Sequence, residues 1–181
     1  MKRPMLMAAL LATTFAGPAQ AQAETEDILS KVINIPAPAA HRVDGSKGSL
    51  RNDEAVQGGK ALRIAVPGKS EQAWSVAVGS SIGKPVKAGD SLVLAFWARL
   101  AKGEGGATAA SLPYNAVQLA SAPYTSLFNR PVSIGPEWKI YEVKGKADKD
   151  YAAGTLNATI HLATAKQIVE LGPIFVLNLG Q

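Results

Sequence analysis

The chain has 181 residues, 47% of them hydrophobic, no cysteine, and a formal net charge of +5. That length suits one domain with one core. The missing cysteine excludes disulfides, a thiolate nucleophile, a cysteine-ligated metal and a lipid-modified N-terminal cysteine, and charge without a long basic block argues against a nucleic-acid partner.

Residues 1–23 read as a cleaved export signal. Lys2 and Arg3 precede an apolar run over residues 5–15, and Ala19-Gln20-Ala21 and Ala21-Gln22-Ala23 are overlapping small-x-small cleavage sites. The run is too short to span a bilayer, and no later stretch reaches about 18 apolar residues. The mature chain is expected to start at Gln22 or Glu24, in the periplasm or outside the cell, with no membrane span. Losing Lys2 and Arg3 lowers Lys+Arg from 19 to 17 against 14 Asp+Glu, a net charge of +3.

Residues 24–181 read as one domain. Residues 27–35 offer an N-terminal strand, and the Pro36-Ala37-Pro38-Ala39-Ala40 run reads as extended chain or coil. From residue 61 onward short alternating strands are separated by turn chemistry. Leu62, Ile64 and Val66 share a face until Pro67-Gly68. Trp74, Val76 and Val78 share one until Gly79. Lys87-Ala88-Gly89-Asp90 turns into a strand over 91–100, with Leu92, Leu94, Phe96 and Ala98 on one side. Val117 and Leu119 mark the next strand, and 138–144 another. Leu156, Ala158, Ile160 and Leu162 then alternate with polar residues. A last apolar stretch over 168–179 is interrupted by Gly172-Pro173, which argues for a bend or two segments. Strands of this length and spacing favour an all-β sandwich over an α/β fold.

Period-two alternation also sorts the outward residues. Trp97 and Arg99 share the outer side of one strand, Gln118 lies outward on the next, and Asn157, Thr159 and His161 on a third. If these strands are neighbours, a polar strip surrounds an exposed indole. That combination suits a sugar, whose apolar ring face stacks on an aromatic while its hydroxyls meet planar polar groups. Trp74 falls in the inward set, and Trp138, after Gly135-Pro136-Glu137, reads as a corner-packing residue. Tyr114 and Tyr124 lie beside prolines in expected loops, where each either rims a cleft or anchors its loop.

No catalytic residue is assigned. His161 stands without a His-x-His or His-Glu-x-x-His pattern, and reads as a hydrogen-bonding group for sugar or backbone. No nucleophile elbow or phosphate-binding glycine loop is present. Glycoside hydrolysis needs two facing carboxyl groups, and only Glu142 and Glu170 fall within expected strands, Glu142 with Lys144 as an available partner.

The order Val56-Gln57-Gly58-Gly59-Lys60-Ala61-Leu62-Arg63-Ile64, then Lys87-Ala88-Gly89-Asp90, then Phe96-Trp97-Ala98-Arg99, with Pro136-Glu137-Trp138-Lys139 and a final apolar strand, resembles the carbohydrate-binding modules attached to bacterial xylanases and cellulases, in the galactose-binding-like group. The resemblance covers residues 28–179. It implies a two-sheet antiparallel jelly-roll β-sandwich with a glycan cleft across one sheet, carried here by Trp97 and Arg99. Gln118, Tyr124, Thr159 and His161 complete the expected ligand-binding set. Many such modules hold a structural calcium through an acid in the last strand. Here that region reads Leu171-Gly172-Pro173-Ile174-Phe175-Val176-Leu177-Asn178, where Asn178 offers one oxygen, and no cofactor is expected. Relatives sit beside a catalytic domain, whereas here the module fills the expected mature chain.

The expected function is therefore an exported, non-catalytic protein that binds a polysaccharide or oligosaccharide. Two alternatives stand beside it. One is a small secreted glycoside hydrolase or polysaccharide lyase, the lyase using His161 or a tyrosine as base while Arg99 neutralises a uronate. The other is a structural or partner-binding sandwich.

Overall fold

The structure is a computed structural model that describes residues 28–181, so the expected export signal over residues 1–23 lies outside the described residues. Lys31–Gln181 form one unit built from two five-stranded antiparallel sheets. The first has the order β2 (Gly48–Asn52), β3 (Lys60–Val66), β10 (Gln167–Asn178), β5 (Ser91–Lys102), β8 (Lys139–Lys146). The second has the order β1 (Arg42–Asp44), β4 (Ala77–Ser81), β9 (Leu156–His161), β6 (Ala110–Leu119), β7 (Ser126–Ile134).

Alternation builds the core between the sheets. Leu92, Leu94, Phe96, Ala98 and Leu100 on β5 meet Ala158 and Ile160 on β9 and Val117 on β6, all essentially buried. Non-directional burial of this apolar surface, at roughly 25 cal/mol per Å², holds the layers together, while the antiparallel ladders satisfy the backbone.

Gly172-Pro173 does not split the last strand. β10 runs through it with a bulge, a register shift against β5 between Leu171 and Ile174. Proline lacks the donor that regular pairing would require. Gly172 is needed for close approach, because a Cβ there would lie 2.5 Å from Val56 Cγ2 and 2.9 Å from Trp97 Cβ.

The expected N-terminal strand over 27–35 shrinks to two isolated bridges, Val32 with Leu177 and Asn34 with Ile82. Asn34 works between the sheets. Its Nδ2 donates to Ser80 Oγ (2.8 Å) and to the Ile174 carbonyl (2.7 Å), and its Oδ1 accepts from the Val176 N–H (2.8 Å). A side-chain amide there supplies the pairing that a continued ladder would have given.

Candidate functional site

The expected site residues divide between the two sheets. β5 pairs only with β8 and β10, so Trp97 and Arg99 face outward from the first sheet, while Gln118, Thr159 and His161 face outward from the second. The polar strip around Trp97 is not formed. Parity assigned each side chain to the outside of the sandwich, but a sandwich has two outsides, and strand order decides which.

On the first sheet Trp97 and Arg99 are held in a charged network. Trp97 Nε1 donates to Gln57 Oε1 (3.0 Å). Arg99 Nε donates to Glu170 Oε2 (2.7 Å), one of its terminal nitrogens donates to Asp53 Oδ2 (2.9 Å), and its guanidinium lies 4.8 Å above the Trp138 ring centre. Arg51 and Arg63 both donate to Glu170 Oε1 at 2.7 and 2.6 Å. Trp138 Nε1 donates to Asp53 Oδ2 (3.2 Å), so Trp138 fixes this network at the foot of β8. Glu170 has no solvent exposure. Burial works against its ionisation, yet the hydrogen bonds from Arg99 and Arg63 and the nearby charges outweigh that cost and hold the carboxyl below its ordinary range. The other strand acid, Glu142, pairs with Lys144 at 2.8 Å on an exposed face.

The second sheet carries a groove of about 880 Å³, within the range that takes a small ligand. Its floor comes from β9 through Asn157, Thr159 and His161. Ala77 of β4 and Arg42 and Asp44 of β1 lie to one side, and Tyr114 and Gln118 of β6 to the other. The pairing register puts small residues in the middle row, with Gly79 opposite Thr159 and Thr159 opposite Ala116. Asn157 leans into the space that Gly79 leaves, since a Cβ at Gly79 would lie 3.2 Å from Asn157 Nδ2. Trp74 stands over the His161 end, and Tyr124 over the Asn157 end with Leu119 and Ala120. Both aromatics are more than half exposed, at 58% and 57%.

Trp74 overturns its expected inward placement. Residues Ala73–Ser75 form a 3-10 turn, closed by Ser75 N–H to the Gln72 carbonyl (2.9 Å) and preceded by Gln72 N–H to Ser70 Oγ (3.2 Å), and the strand begins only at Ala77. Alternation read from Val76 and Val78 therefore does not extend back to residue 74. The polar run Lys69-Ser70-Glu71-Gln72 was the available signal. Tyr114 is corrected as well, since it lies within β6 and not in a loop. Tyr124 does lie in a loop, with φ +55°, in the left-handed region that non-glycine residues seldom occupy.

The electrostatics of the groove are muted. Among the described residues Arg42 and Asp44 are the charged ones that line it, and they pair with each other, through Nε at 3.0 Å and a terminal nitrogen at 2.9 Å from Asp44 Oδ2. Partial burial lowers the His161 pKa from 6.5 to about 4, so the ring is neutral at neutral pH. Among the described residues none hydrogen-bonds its nitrogens. Tyr114 Oη donates to Gln118 Oε1 (3.1 Å). The groove thus offers neutral donors and acceptors between two exposed rings.

Among the described residues no group of three or more acids or histidines gathers around one point. Asn178 is committed at both ends of its amide, with Nδ2 donating to Asp90 Oδ2 (2.6 Å) and Oδ1 accepting from Gly180 N–H (2.9 Å).

No protein-family profile and no curated protein matches the sequence. Among solved structures the chain is similar to a CBM4 structure, with TM-score 0.59 and 19% identity over 78% of this chain and 96% of that one. It is also similar to the N-terminal cellulose-binding domain of Cellulomonas fimi β-1,4-glucanase C, with TM-score 0.59 and 17% identity over 81% and 93% of the two chains. A third is the CBM22-1 xylan-binding domain of Paenibacillus barcinonensis Xyn10C, with TM-score 0.54 and 13% identity over 83% and 93%. The chain has the two-sheet jelly-roll fold of these carbohydrate-binding domains.

Proposed function

We propose that this protein is an exported, non-catalytic carbohydrate-binding protein whose ligand lies in the groove of the second sheet. One observation carries the reading: two exposed aromatic rings, Trp74 and Tyr124, bracket a floor of neutral hydrogen-bonding side chains. A sugar ring needs that pairing, an apolar face for its C–H groups and planar amides or imidazole for its hydroxyls. The fold shared with cellulose- and xylan-binding domains supports the same ligand class.

The catalytic alternatives draw less support. Hydrolysis needs two facing carboxyl groups, and among the described residues the groove is lined by one, Asp44, already paired with Arg42. In the lyase reading Arg99 would neutralise a uronate beside His161, but the two residues lie on different sheets.

Export rests on residues 1–23. Among the described residues no helix is long and apolar enough to cross a membrane. Mass spectrometry of periplasmic and culture fractions should give a mature N-terminus at Gln22 or Glu24, and a stable cytoplasmic form starting at Met1 would overturn the export reading. A panel of soluble and insoluble polysaccharides tests binding, with the Trp74→Ala, Tyr124→Ala double variant as control. Binding that survives loss of both rings would place the site elsewhere.

A further inference from the structure

Trp74 lines the groove with more than half of its surface in solvent, so its place is set chiefly by its backbone. The 3-10 turn Ala73–Ser75 is fastened to the exit of β9. There the Ala163 N–H donates to the Ala73 carbonyl (3.1 Å) and the Leu162 N–H to the Val76 carbonyl (2.8 Å), while the Ser70 N–H donates to the Ala163 carbonyl (3.0 Å). Leu162 and Ala163 are buried in the core, so the turn is tied to a close-packed, rigid part of the molecule.

The other side of the turn meets Gly45, the residue that follows β1. Gly45 has φ +71°, and a Cβ built there would lie 1.6 Å from the Ser75 carbonyl oxygen and 2.8 Å from the Ser75 carbonyl carbon. Both atoms are backbone, so no change of rotamer relieves the overlap. Gly45 is itself held from two directions. Asp44 before it pairs with Ala77 on β4, and Ser46 Oγ after it donates to the Ala65 carbonyl on β3 at 2.7 Å. The turn is the softer of the two partners, because it is short, partly exposed and of the 3-10 kind, whose hydrogen bonds have poorer geometry. A methyl group at residue 45 therefore displaces the turn, and Trp74 with it.

We infer that Gly45 is a positioning residue for glycan binding, an inference that rests on the carbohydrate-binding reading above. Gly45 is not among the residues that line the groove. Its missing side chain lets the turn settle where the Trp74 ring meets the groove. A platform fixed before the ligand arrives spares the ordering cost that a mobile loop would incur on binding.

The test is a double-mutant cycle between Gly45→Ala and Trp74→Ala. Cellohexaose and xylohexaose serve as probes in calorimetric titration, with folding checked by circular dichroism. Gly45→Ala alone should weaken binding by up to the loss in Trp74→Ala, roughly 5- to 150-fold. In the Trp74→Ala background it should weaken binding no further, because the ring it displaces is gone. A purely structural role would lower stability in both backgrounds without making the loss of affinity depend on Trp74. Equal loss of affinity in both backgrounds, or unchanged affinity in a folded Gly45→Ala, overturns the inference and leaves the carbohydrate-binding reading intact. A wild type that binds neither hexaose nor any polysaccharide removes that reading, and the inference with it. Should Gly45→Ala fail to fold, nitrogen-15 relaxation of the ligand-free wild type decides. Backbone order parameters of about 0.85 over Ala73–Ser75 support the clamp, and values below about 0.6 overturn it.

Discussion

Tyr114 and His161 lie face to face on adjacent strands, 4.5 Å between ring centres and 22° between planes. Burial of the imidazole lowers its pKa to about 4. His41, buried beneath the chain before β1, is lowered to about 4 as well, burial being the largest cause. In the unfolded chain both would titrate near their ordinary 6.5. Between those values the unfolded state binds more protons than the folded one, so stability is complete above about pH 6.5 and falls as the pH drops toward 4. Urea midpoints measured from pH 7 to 4.5 should decline steadily, and His41→Gln or His161→Gln should each flatten part of the slope. A midpoint independent of pH over that window would contradict both placements. Glycan affinity should stay level from pH 7 to 5, because the groove imidazole remains neutral there.

Trp74 and Trp97 should exchange the effects that strand parity assigned them. Trp74→Ala removes an exposed platform, at a cost to binding of about 1–3 kcal/mol as an interface anchor, or roughly 5- to 150-fold in affinity. Its melting temperature should barely move, since the side chain buries little. Trp97→Ala should leave affinity unchanged and lower stability, because its indole is half-buried and its Nε1 donates to Gln57 Oε1. Calorimetric titration and thermal melts on both variants decide the matter. Loss of binding in Trp97→Ala alone would return the site to the first sheet.

Much of this was legible because hydrophobic alternation has a period that only strands satisfy. Strands over 61–66, 91–100 and 156–161 could be read directly, as could the outward placement of Asn157, Thr159 and His161. Short or irregular edges were not. β1 has three residues and β7 carries Arg130-Pro131, so neither leaves a clear pattern. Grouping failed for a different reason. Which strands are neighbours depends on crossovers between distant segments, such as β9 inserting between β4 and β6, and periodicity is local. Trp97 therefore looked like a partner of His161 when the core separates them.

The sheets close on each other where β7 passes β8, and Gly145 permits it. A Cβ at Gly145 would overlap the ring and Cβ of Phe128, and Phe128 packs against the core. Gly145→Ala should destabilise by about 1–3 kcal/mol through overpacking, read as a lower urea midpoint with an unchanged slope. Shrinking Phe128 to Leu in the same chain should recover part of the loss, because the clash is with that ring. No recovery would locate the strain in the β8 backbone.

Glu170 binds three strands together through charge. Its carboxylate accepts from Arg51 on β2, Arg63 on β3 and Arg99 on β5, so one fully buried acid on β10 ties the sheet laterally. Truncating one member of a buried, hydrogen-bonded ion cluster costs about 3–5 kcal/mol, because the remaining charges are left unpaired. Glu170→Ala should approach that cost. Glu170→Gln keeps the shape and part of the hydrogen bonding, so its loss should be smaller. The acid side of the stability profile should follow the same group. Its carboxyl is depressed in the folded state, so its contribution is complete above its ordinary pKa near 4.5 and lost as the pH falls through the lower folded value. Wild type should therefore keep losing stability below pH 4, and Glu170→Gln should lose less over that range. Arg99→Lys makes a sharper control, since lysine supplies charge but cannot reach Glu170 and Asp53 together with planar donors. It should destabilise the sheet while leaving glycan affinity unchanged. A variant that loses binding without losing stability would make Arg99 a ligand residue and not part of the first sheet's frame.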